Sequence, residues 1–199
     1  METKAKALGL PENIILGSGS PRRKELLLGI GAEFVVRKPD IEETWPDELA
    51  ADKVAEYLAR EKAKALSEKY SDLIITADTV VIFAGKILGK PENADEAVKM
   101  ITTLSGKFHD VITGVCLSEK NKILSFSDRT RVQFKDLSPS EIDYYIEQYE
   151  PFDKAGAYGI QEWIGMIGIL HMEGSYFNVM GLPVHRVYDE LIKWNQVSP

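Results

Sequence analysis

Residues 14–31, IILGSGSPRRKELLLGIG, decide the fold, because they predict a strand, a loop and a helix in direct succession. The apolar run IILG predicts a short buried strand, and SGSP predicts the loop that follows it. Ser20 is a favourable N-cap and Pro21 suits the first helical position, so a helix is predicted to end near Gly29 or Gly31. The chain therefore begins with a strand, loop and helix unit.

The rest of the chain continues this alternation. FVVRKP predicts a second strand, and the segment from about Asp47 to Tyr70 predicts a long helix. DLIITADTVVIFAGKIL predicts a central strand with a hairpin around Ala84 and Gly85. Later segments predict a helix from Asn93 to Gly106, an antiparallel pair made by HDVITGVCL and ILSFSDRTRVQF, a helix opened by the capping-box sequence SPSE, and a last helix from about Val184 to Asn195.

No linker, repeat or low-complexity segment interrupts these elements. We therefore predict one α/β domain over residues 1–199, with a mixed sheet flanked by helices and divided into two lobes.

The composition excludes several classes of protein. With 44% hydrophobic and 28% charged residues, the chain of 199 residues is globular rather than disordered. Its 31 acidic and 24 basic residues give a net charge of -7, which argues against nucleic acid or an anionic membrane as a partner. The N-terminal sequence lacks the apolar stretch of a signal peptide, and the single Cys116 fits a reducing compartment. We expect a cytoplasmic protein without membrane association.

Arg22 and Arg23 stand in the first turn of the first predicted helix. The exposed N–H groups already make that end positive, so cations there are locally unfavourable unless the site receives an anion. Serine hydroxyls, backbone N–H groups and a guanidinium could converge on phosphate oxygens; the alternative is that both arginines point into water. The pattern is neither a P-loop nor a dinucleotide fingerprint.

Asp78 interrupts an otherwise apolar strand, IITADTVVIF. A carboxylate is costly to bury there without a partner, so we interpret it as a metal ligand or proton acceptor; the alternative is a structural carboxylate bonded to backbone or to a buried lysine. Thr76 is predicted to share its strand face, whereas Thr79 points oppositely unless the strand ends there.

Two lysines are further candidates. Lys62 lies on the apolar side of the long helix, where it could pair with Asp78 or with a substrate phosphate, or extend to water from the edge of that face. Lys90 precedes Pro91 at the end of a predicted strand, and the alternative to a functional role is a lysine in a surface turn.

Asp40, Glu42 and Glu43 could gather a hard divalent cation, although acidic loops are usually solvated. The three histidines lack the spacing of a zinc site.

These residues belong to a series of motifs that resembles the Maf family of nucleoside triphosphate pyrophosphatases over nearly the whole chain. The resemblance rests on the order and spacing of SGSPRRKELL, the IEE of DIEETW, AREKA, ADTVV, GKP, LSGKFHDVITGV, DKAGAYGIQ and GSYFNVMGLPV. It implies an elongated, twisted mixed sheet in two lobes with a central cleft, related to inosine triphosphate pyrophosphatases. It also implies hydrolysis of a nucleoside triphosphate to monophosphate and pyrophosphate with Mg²⁺ or Mn²⁺, and a possible homodimer.

The resemblance also implies roles for single residues. Asp78 corresponds to the proton acceptor, and Glu43, Lys62 and Lys90 join it in the catalytic group, with Glu43 and Asp78 as metal ligands. Phosphate binding falls to Ser18, Ser20 and Arg22, and substrate discrimination to Arg23, Thr79 and Gln161. Which carboxylate holds the metal and which accepts the proton stays open.

The form AYGIQ resembles the subgroup that acts on dTTP and UTP, although IQEW replaces the commoner IQG. We therefore expect a pyrophosphatase for pyrimidine triphosphates that cleanses the nucleotide pool. The alternatives are a non-catalytic nucleotide-binding regulator of cell division and a pyrophosphatase specific for 7-methyl-GTP.

Overall fold

The computed structural model describes residues 4–197, which contain seven strands and eight α-helices. The strands are β1 (Ile14–Gly17), β2 (Phe34–Val36), β3 (Leu73–Phe83), β4 (Lys86–Leu88), β5 (Phe108–Glu119), β6 (Lys122–Phe134) and β7 (Ile169–Glu173). The helices are α1 (Lys4–Ala7), α2 (Pro21–Gly29), α3 (Ala51–Ser67), α4 (Ala94–Leu104), α5 (Pro139–Tyr149), α6 (Trp163–Gly168), α7 (Tyr176–Met180) and α8 (Val184–Val197). Two short 3₁₀ helices, Pro151–Asp153 and Ala155–Ala157, follow α5.

The strands form one mixed sheet in the order β2-β1-β3-β5-β6-β7, with β4 paired to β3. Strand β1 runs parallel to both β2 and β3, whereas β4 is antiparallel to β3 and β7 is antiparallel to β6. This arrangement confirms the predicted α/β fold with a mixed sheet.

The chain forms two compact units, and the division falls between Asp78 and Thr79 within β3. The first unit contains the described residues up to Asp78, Thr113–Asp128 and the described residues from Gly181 onward. The second contains Thr79–Ile112 and Arg129–Met180. The single domain and the central cleft stay predictions.

In the first unit, helix α3 packs directly on the sheet. A Cβ atom built on Gly114 of β5 would lie 2.2 Å from the Glu56 backbone nitrogen, so only glycine permits this approach. The Thr76 hydroxyl donates to the Ala59 carbonyl at 2.6 Å, which ties β3 to the same helix. This hydrogen bond fixes the position of strand β3 along helix α3.

The second unit has its own apolar core. Helices α4, α5 and α6 cover the carboxyl-terminal part of β6, and the fully buried members include Ile101, Leu104, Val132, Phe134, Tyr145 and Ile164. Burial of this many large side chains is the main stabilising contribution to the unit.

Local signals located most helix starts correctly. Ser20 caps α2 by accepting the Arg23 N–H, Asn93 caps α4 by accepting the Glu96 N–H at 3.0 Å, and Ser138 forms the predicted capping box with Glu141. The hairpin turn lies at Ala84 and Gly85, which have φ values of 48° and 78°. These features are encoded in a few consecutive residues.

The predicted bounds of the long helix were wrong at both ends. Helix α3 begins at Ala51 rather than Asp47, because residues 46–49 form a turn closed by a bond from the Leu49 N–H to the Pro46 carbonyl. It ends at Ser67 rather than at Tyr70.

Across residues 4–197, no helix combines the length and the apolar character needed to span a bilayer.

Candidate active site

The loop between β1 and α2 gathers polar groups around Ser18, which is only 6% exposed. The Ser18 hydroxyl oxygen accepts the Ser20 N–H at 3.2 Å and an Nη1–H of Arg23 at 3.4 Å. Arg23 also donates its Nε–H to the Gly181 carbonyl at 2.8 Å. These hydrogen bonds fix the loop with the Arg23 guanidinium beside it, and an anion-binding site requires such a fixed positive charge.

Arg22 and Arg23 both lie in the first turn of α2, directly after the Ser20 cap. Burial lowers the pKa of the Arg23 guanidinium, while the carboxylates of Asp78 and Glu43 act in the opposite direction. A guanidinium remains protonated at any physiological pH, so the first turn carries positive charge in addition to its N–H groups. Asp78 and Glu43 thus interact electrostatically with Arg23.

Lys62 joins the two predicted catalytic carboxylates. Its Nζ lies 2.5 Å from Asp78 Oδ1 and 2.7 Å from Glu43 Oε1. The side chains of Lys62 and Asp78 are 7% and 11% exposed, and that of Glu43 is 42% exposed. One ammonium between two carboxylates leaves this group with a net charge of -1.

Of the alternatives for Lys62, the structure shows the pairing with Asp78, and the side chain does not extend to water. Thr76 and Asp78 lie on one face of β3, as alternation along a strand requires, since both bond to α3. The contact between Lys62 and Asp78 fits Asp78 as a metal ligand or proton acceptor. It also fits the alternative, a structural carboxylate bonded to a buried lysine.

Glu43 and Asp78 suit a hard divalent cation, because carboxylate oxygens are the ligands that Mg²⁺ and Mn²⁺ prefer. Among the described residues, no group of three or more His, Cys, Asp and Glu side chains is arranged to hold a metal ion. Asp40, Glu42 and Glu43 thus do not form a cation site in the acidic loop. Two carboxylates fit a metal that completes its coordination with substrate phosphates and water.

The remaining predicted residues lie in the second unit. Thr79 directly follows Asp78 in β3, and Lys90 follows β4 in the segment Gly89–Pro91. The Gly156 N–H donates to the Gly89 carbonyl at 2.9 Å and so fixes the backbone before Lys90. Gln161 lies just before α6, and its Oε1 is buried without a hydrogen-bond partner among the described residues.

Sequence reasoning missed a polar group next to Gln161. Glu162 accepts the Tyr145 O–H, and its other carboxylate oxygen lies 3.1 Å from Lys154 Nζ. Lys154 is buried at 8% exposure. The available signal was a lysine, Lys154, directly before the run AGAYGI, which is made of small and apolar residues and one tyrosine.

Lys38 was also missed. A Cβ atom built on Gly19 would lie 3.6 Å from Lys38 Cδ and 3.8 Å from Cε, so this side chain runs beside residues 18–20, the loop between β1 and α2 that we call the serine loop. It adds a basic side chain beside Gly19.

The comparisons with known proteins agree with one another. The family model described as Maf-like protein matches residues 13–194. The chain is 57% identical over 183 residues to the dTTP/UTP pyrophosphatase of Phocaeicola vulgatus, covering 90% of this chain and 95% of the relative. It is 51% identical over 183 residues to the dTTP/UTP pyrophosphatase of Bacteroides thetaiotaomicron, again covering 90% of this chain and 95% of the relative.

A solved structure, that of the Staphylococcus aureus Ham1 protein, superposes with a TM-score of 0.55 over 92% of this chain and 100% of that one. At 14% identity, this likeness shows a shared fold alone.

Proposed function

This chain belongs to the Maf family, and on that premise we propose that it hydrolyses dTTP and UTP to the monophosphate and pyrophosphate. The observation that carries the proposal is the convergence of Lys62, Asp78 and Glu43 near the cationic serine loop, on a chain 57% identical to a dTTP/UTP pyrophosphatase. The site joins anion-binding groups to carboxylates, as phosphoanhydride hydrolysis requires.

The serine loop and Arg22 bind the triphosphate. Ser18 accepts two hydrogen bonds through its oxygen, so its O–H is directed to donate to a phosphate oxygen. The N–H groups at the start of α2 and the arginines of its first turn neutralise negative charge, and Ser20 holds that turn in place by capping it. Lys90 supplies a further cation.

Glu43 and Asp78 would hold a divalent cation, Mg²⁺ or Mn²⁺. When bound, such an ion neutralises phosphate charge and polarises the bond to be broken. Lys62 contributes by keeping the two carboxylates together, because its ammonium contacts one oxygen of each.

One carboxylate of the pair accepts the proton of the attacking water at the α-phosphorus. Asp78 is the stronger candidate, because it is buried, fixed on β3 and held by a hydrogen bond from Lys62. Attack at the α-phosphorus releases pyrophosphate as one piece and leaves the nucleoside monophosphate. Such a reaction needs positioning and charge neutralisation more than covalent help from the protein.

For base selection we propose Gln161, one of the three residues to which the family resemblance assigns substrate discrimination, the others being Arg23 and Thr79. A neutral amide offers one acceptor and one donor, which matches the N3–H and a carbonyl of uracil or thymine. The buried Oε1 of Gln161, without a partner among the described residues, supports this role because a buried acceptor is costly until a donor reaches it.

We place this activity in the cytoplasm, since the acidic chain carries one cysteine and that residue is buried. Nucleic acid is not expected to compete for the site, because a net charge of -7 repels it. A homodimer stays a prediction.

Steady-state release of pyrophosphate from a panel of triphosphates with Mg²⁺ tests the proposal. We expect release from dTTP and UTP, and much slower release from 7-methyl-GTP. Binding of dTTP without release from any triphosphate would instead identify a nucleotide-binding regulator and contradict the proposal.

A further inference from the structure

Gln161 can select a base only if rotation of its side-chain amide is prevented. Rotation by half a turn exchanges the donor and the acceptor of the amide. Thymine and uracil present a donor at N3 beside a carbonyl acceptor at O4, whereas cytosine presents an acceptor at N3 beside the N4 donor. A freely rotating glutamine therefore recognises both kinds of pyrimidine, and a fixed one recognises a single kind.

The structure contains a polar network that fixes this part of the chain. Glu162 accepts the Tyr145 O–H with one carboxylate oxygen and meets Lys154 Nζ at 3.1 Å with the other. Tyr145 is fully buried in helix α5, and its oxygen accepts the Gly159 N–H at 3.0 Å. We call Tyr145, Lys154, Gly159 and Glu162 the Glu162 network.

The Glu162 network lies next to Gln161. The Glu162 N–H donates to the Gly159 carbonyl at 3.0 Å, which closes a turn over residues 159–162. A Cβ atom built on Gly159 would lie 2.8 Å from Glu162 Cδ and 3.0 Å from Gln161 Nε2, so both side chains pack over this glycine. The amide nitrogen of Gln161 is thus located beside the carboxylate that the network holds.

The protonation state of Tyr145 and the contacts of Lys154 allow the Glu162 network to persist. Burial, together with the hydrogen bond to the Glu162 carboxylate, raises the pKa of Tyr145, so the phenol stays protonated and keeps donating. Lys154 also contacts Asp153 Oδ1 at 2.7 Å, which provides the ammonium with a second carboxylate.

We propose that Glu162 is a positioning residue for substrate selection: its carboxylate, held by Tyr145 and Lys154 beside the amide nitrogen of Gln161, favours one orientation of that amide, so that Gln161 selects thymine or uracil over cytosine. This inference rests on the proposed function. It assigns a role to the glutamate that replaces glycine in the commoner form of this motif.

The test compares kcat/KM for dTTP and dCTP in the full-length protein with Mg²⁺. Tyr145→Phe removes only the hydroxyl and is expected to lower the dTTP to dCTP ratio about tenfold, the cost of losing a buried hydrogen bond. The loss should lie in KM for dTTP, with kcat changed by less than about twofold. Tyr149→Phe, on the stacked ring one turn further along α5, is the matched control and should leave the ratio unchanged.

A double variant separates positioning from general loss of structure. If Tyr145 acts through the glutamine, Tyr145→Phe should change the ratio little in a Gln161→Ala background, because coupled positions are not additive. Glu162→Gln, which keeps an acceptor for the Tyr145 O–H, should retain more selectivity than Glu162→Ala. If the Tyr145→Phe protein does not fold, the ratios measured for Glu162→Gln and Glu162→Ala test the same proposal.

The outcomes distinguish the two proposals. Equal effects of Tyr145→Phe in both backgrounds, or an unchanged ratio, would overturn the positioning role and leave the pyrophosphatase assignment intact. Wild-type protein that releases no pyrophosphate from any triphosphate would overturn both.

Discussion

Lys62 Nζ and Asp78 Oδ1 lie 2.5 Å apart, with both side chains buried between α3 and β3. The contact joins a helix to the strand on which it packs, and it places a carboxylate where the proposed reaction needs one. In the proposed function such a pair serves both stability and chemistry, and variants of its two members separate these contributions.

Asp78→Asn should lower kcat for dTTP hydrolysis at least 100-fold while the protein stays folded. The amide keeps the shape of the carboxylate and still accepts a bond from Lys62, but it is a far weaker proton acceptor, and general base catalysis typically contributes that factor or more. The matched control is Thr76→Val on the same strand face, which removes the bond to Ala59 and should cost about 1 kcal/mol of stability with kcat nearly unchanged. A kcat for Asp78→Asn within tenfold of wild type would contradict the role of Asp78.

Lys62→Met should destabilise the protein by about 3 kcal/mol, because it leaves the buried Asp78 carboxylate facing Glu43 without a counter-charge. Chemical denaturation measures this change. The double variant Lys62→Met with Asp78→Asn should recover part of the loss, since it also removes the uncompensated charge. A double variant whose loss of stability equals the sum of the losses of Lys62→Met and Asp78→Asn would show that the pair contributes no net coupling.

The sequence predicted those parts of the fold and site that depend on neighbouring residues. Ser20, Asn93 and the Ser138 capping box are local signals, and Lys62 and Asp78 are visible as charges at apolar positions of a helix and a strand. Glu43 could be placed beside Lys62 only by resemblance, because a loop carries no periodicity that fixes where its side chains point.

The Glu162 network was beyond prediction for a related reason. Tyr145 occurs at a helical spacing that indicates a core position, and nothing in that spacing reveals the bond from its hydroxyl to Glu162, 17 residues later. Strand β7 and helices α6 and α7 are five or six residues long, which is too short for an apolar pattern to identify.

Gly114→Ala should destabilise the protein by about 3 kcal/mol or more. Its new Cβ would lie 2.2 Å from the Glu56 nitrogen and 2.3 Å from the Ala55 carbonyl carbon, so the backbone of α3 must move. Gly29→Ala is the control, because nothing lies within 4 Å of the added Cβ, and alanine at this exposed helical position should be neutral or slightly stabilising. Thermal denaturation of both variants checks the contrast; equal melting temperatures would contradict the close approach of β5 to α3.

Cys116 should resist alkylation in the folded protein. It is 1% exposed beside Ala59 and Ala63, and burial raises the pKa of its thiol to about 11, so very little thiolate exists at pH 8. Iodoacetamide followed by mass spectrometry should find it unmodified under native conditions and modified in denaturant. Rapid native labelling would show that this part of the first unit opens readily.

His109 is buried at 2% exposure in the second unit, where its Nε2 is 2.7 Å from the Tyr158 hydroxyl and its ring packs edge-on against Phe134. Burial lowers the pKa of His109 from 6.5 to about 4, and Asp110 opposes this only in part. The imidazole is therefore neutral in the folded protein throughout the physiological range.

His109 should make the protein less stable as the pH falls from 7 to 5. Between pH 6.5 and about 4 the unfolded chain binds a proton at His109 that the folded protein does not, so the free energy of unfolding decreases with falling pH. At pH 5 this amounts to about 2 kcal/mol. His109→Gln, which can still bond to Tyr158 but does not titrate, should be less stable than wild type at pH 7 and lose about 2 kcal/mol less on going to pH 5. Urea denaturation of both proteins at the two pH values measures the difference, and parallel losses in the two proteins would show that His109 is protonated in the folded state.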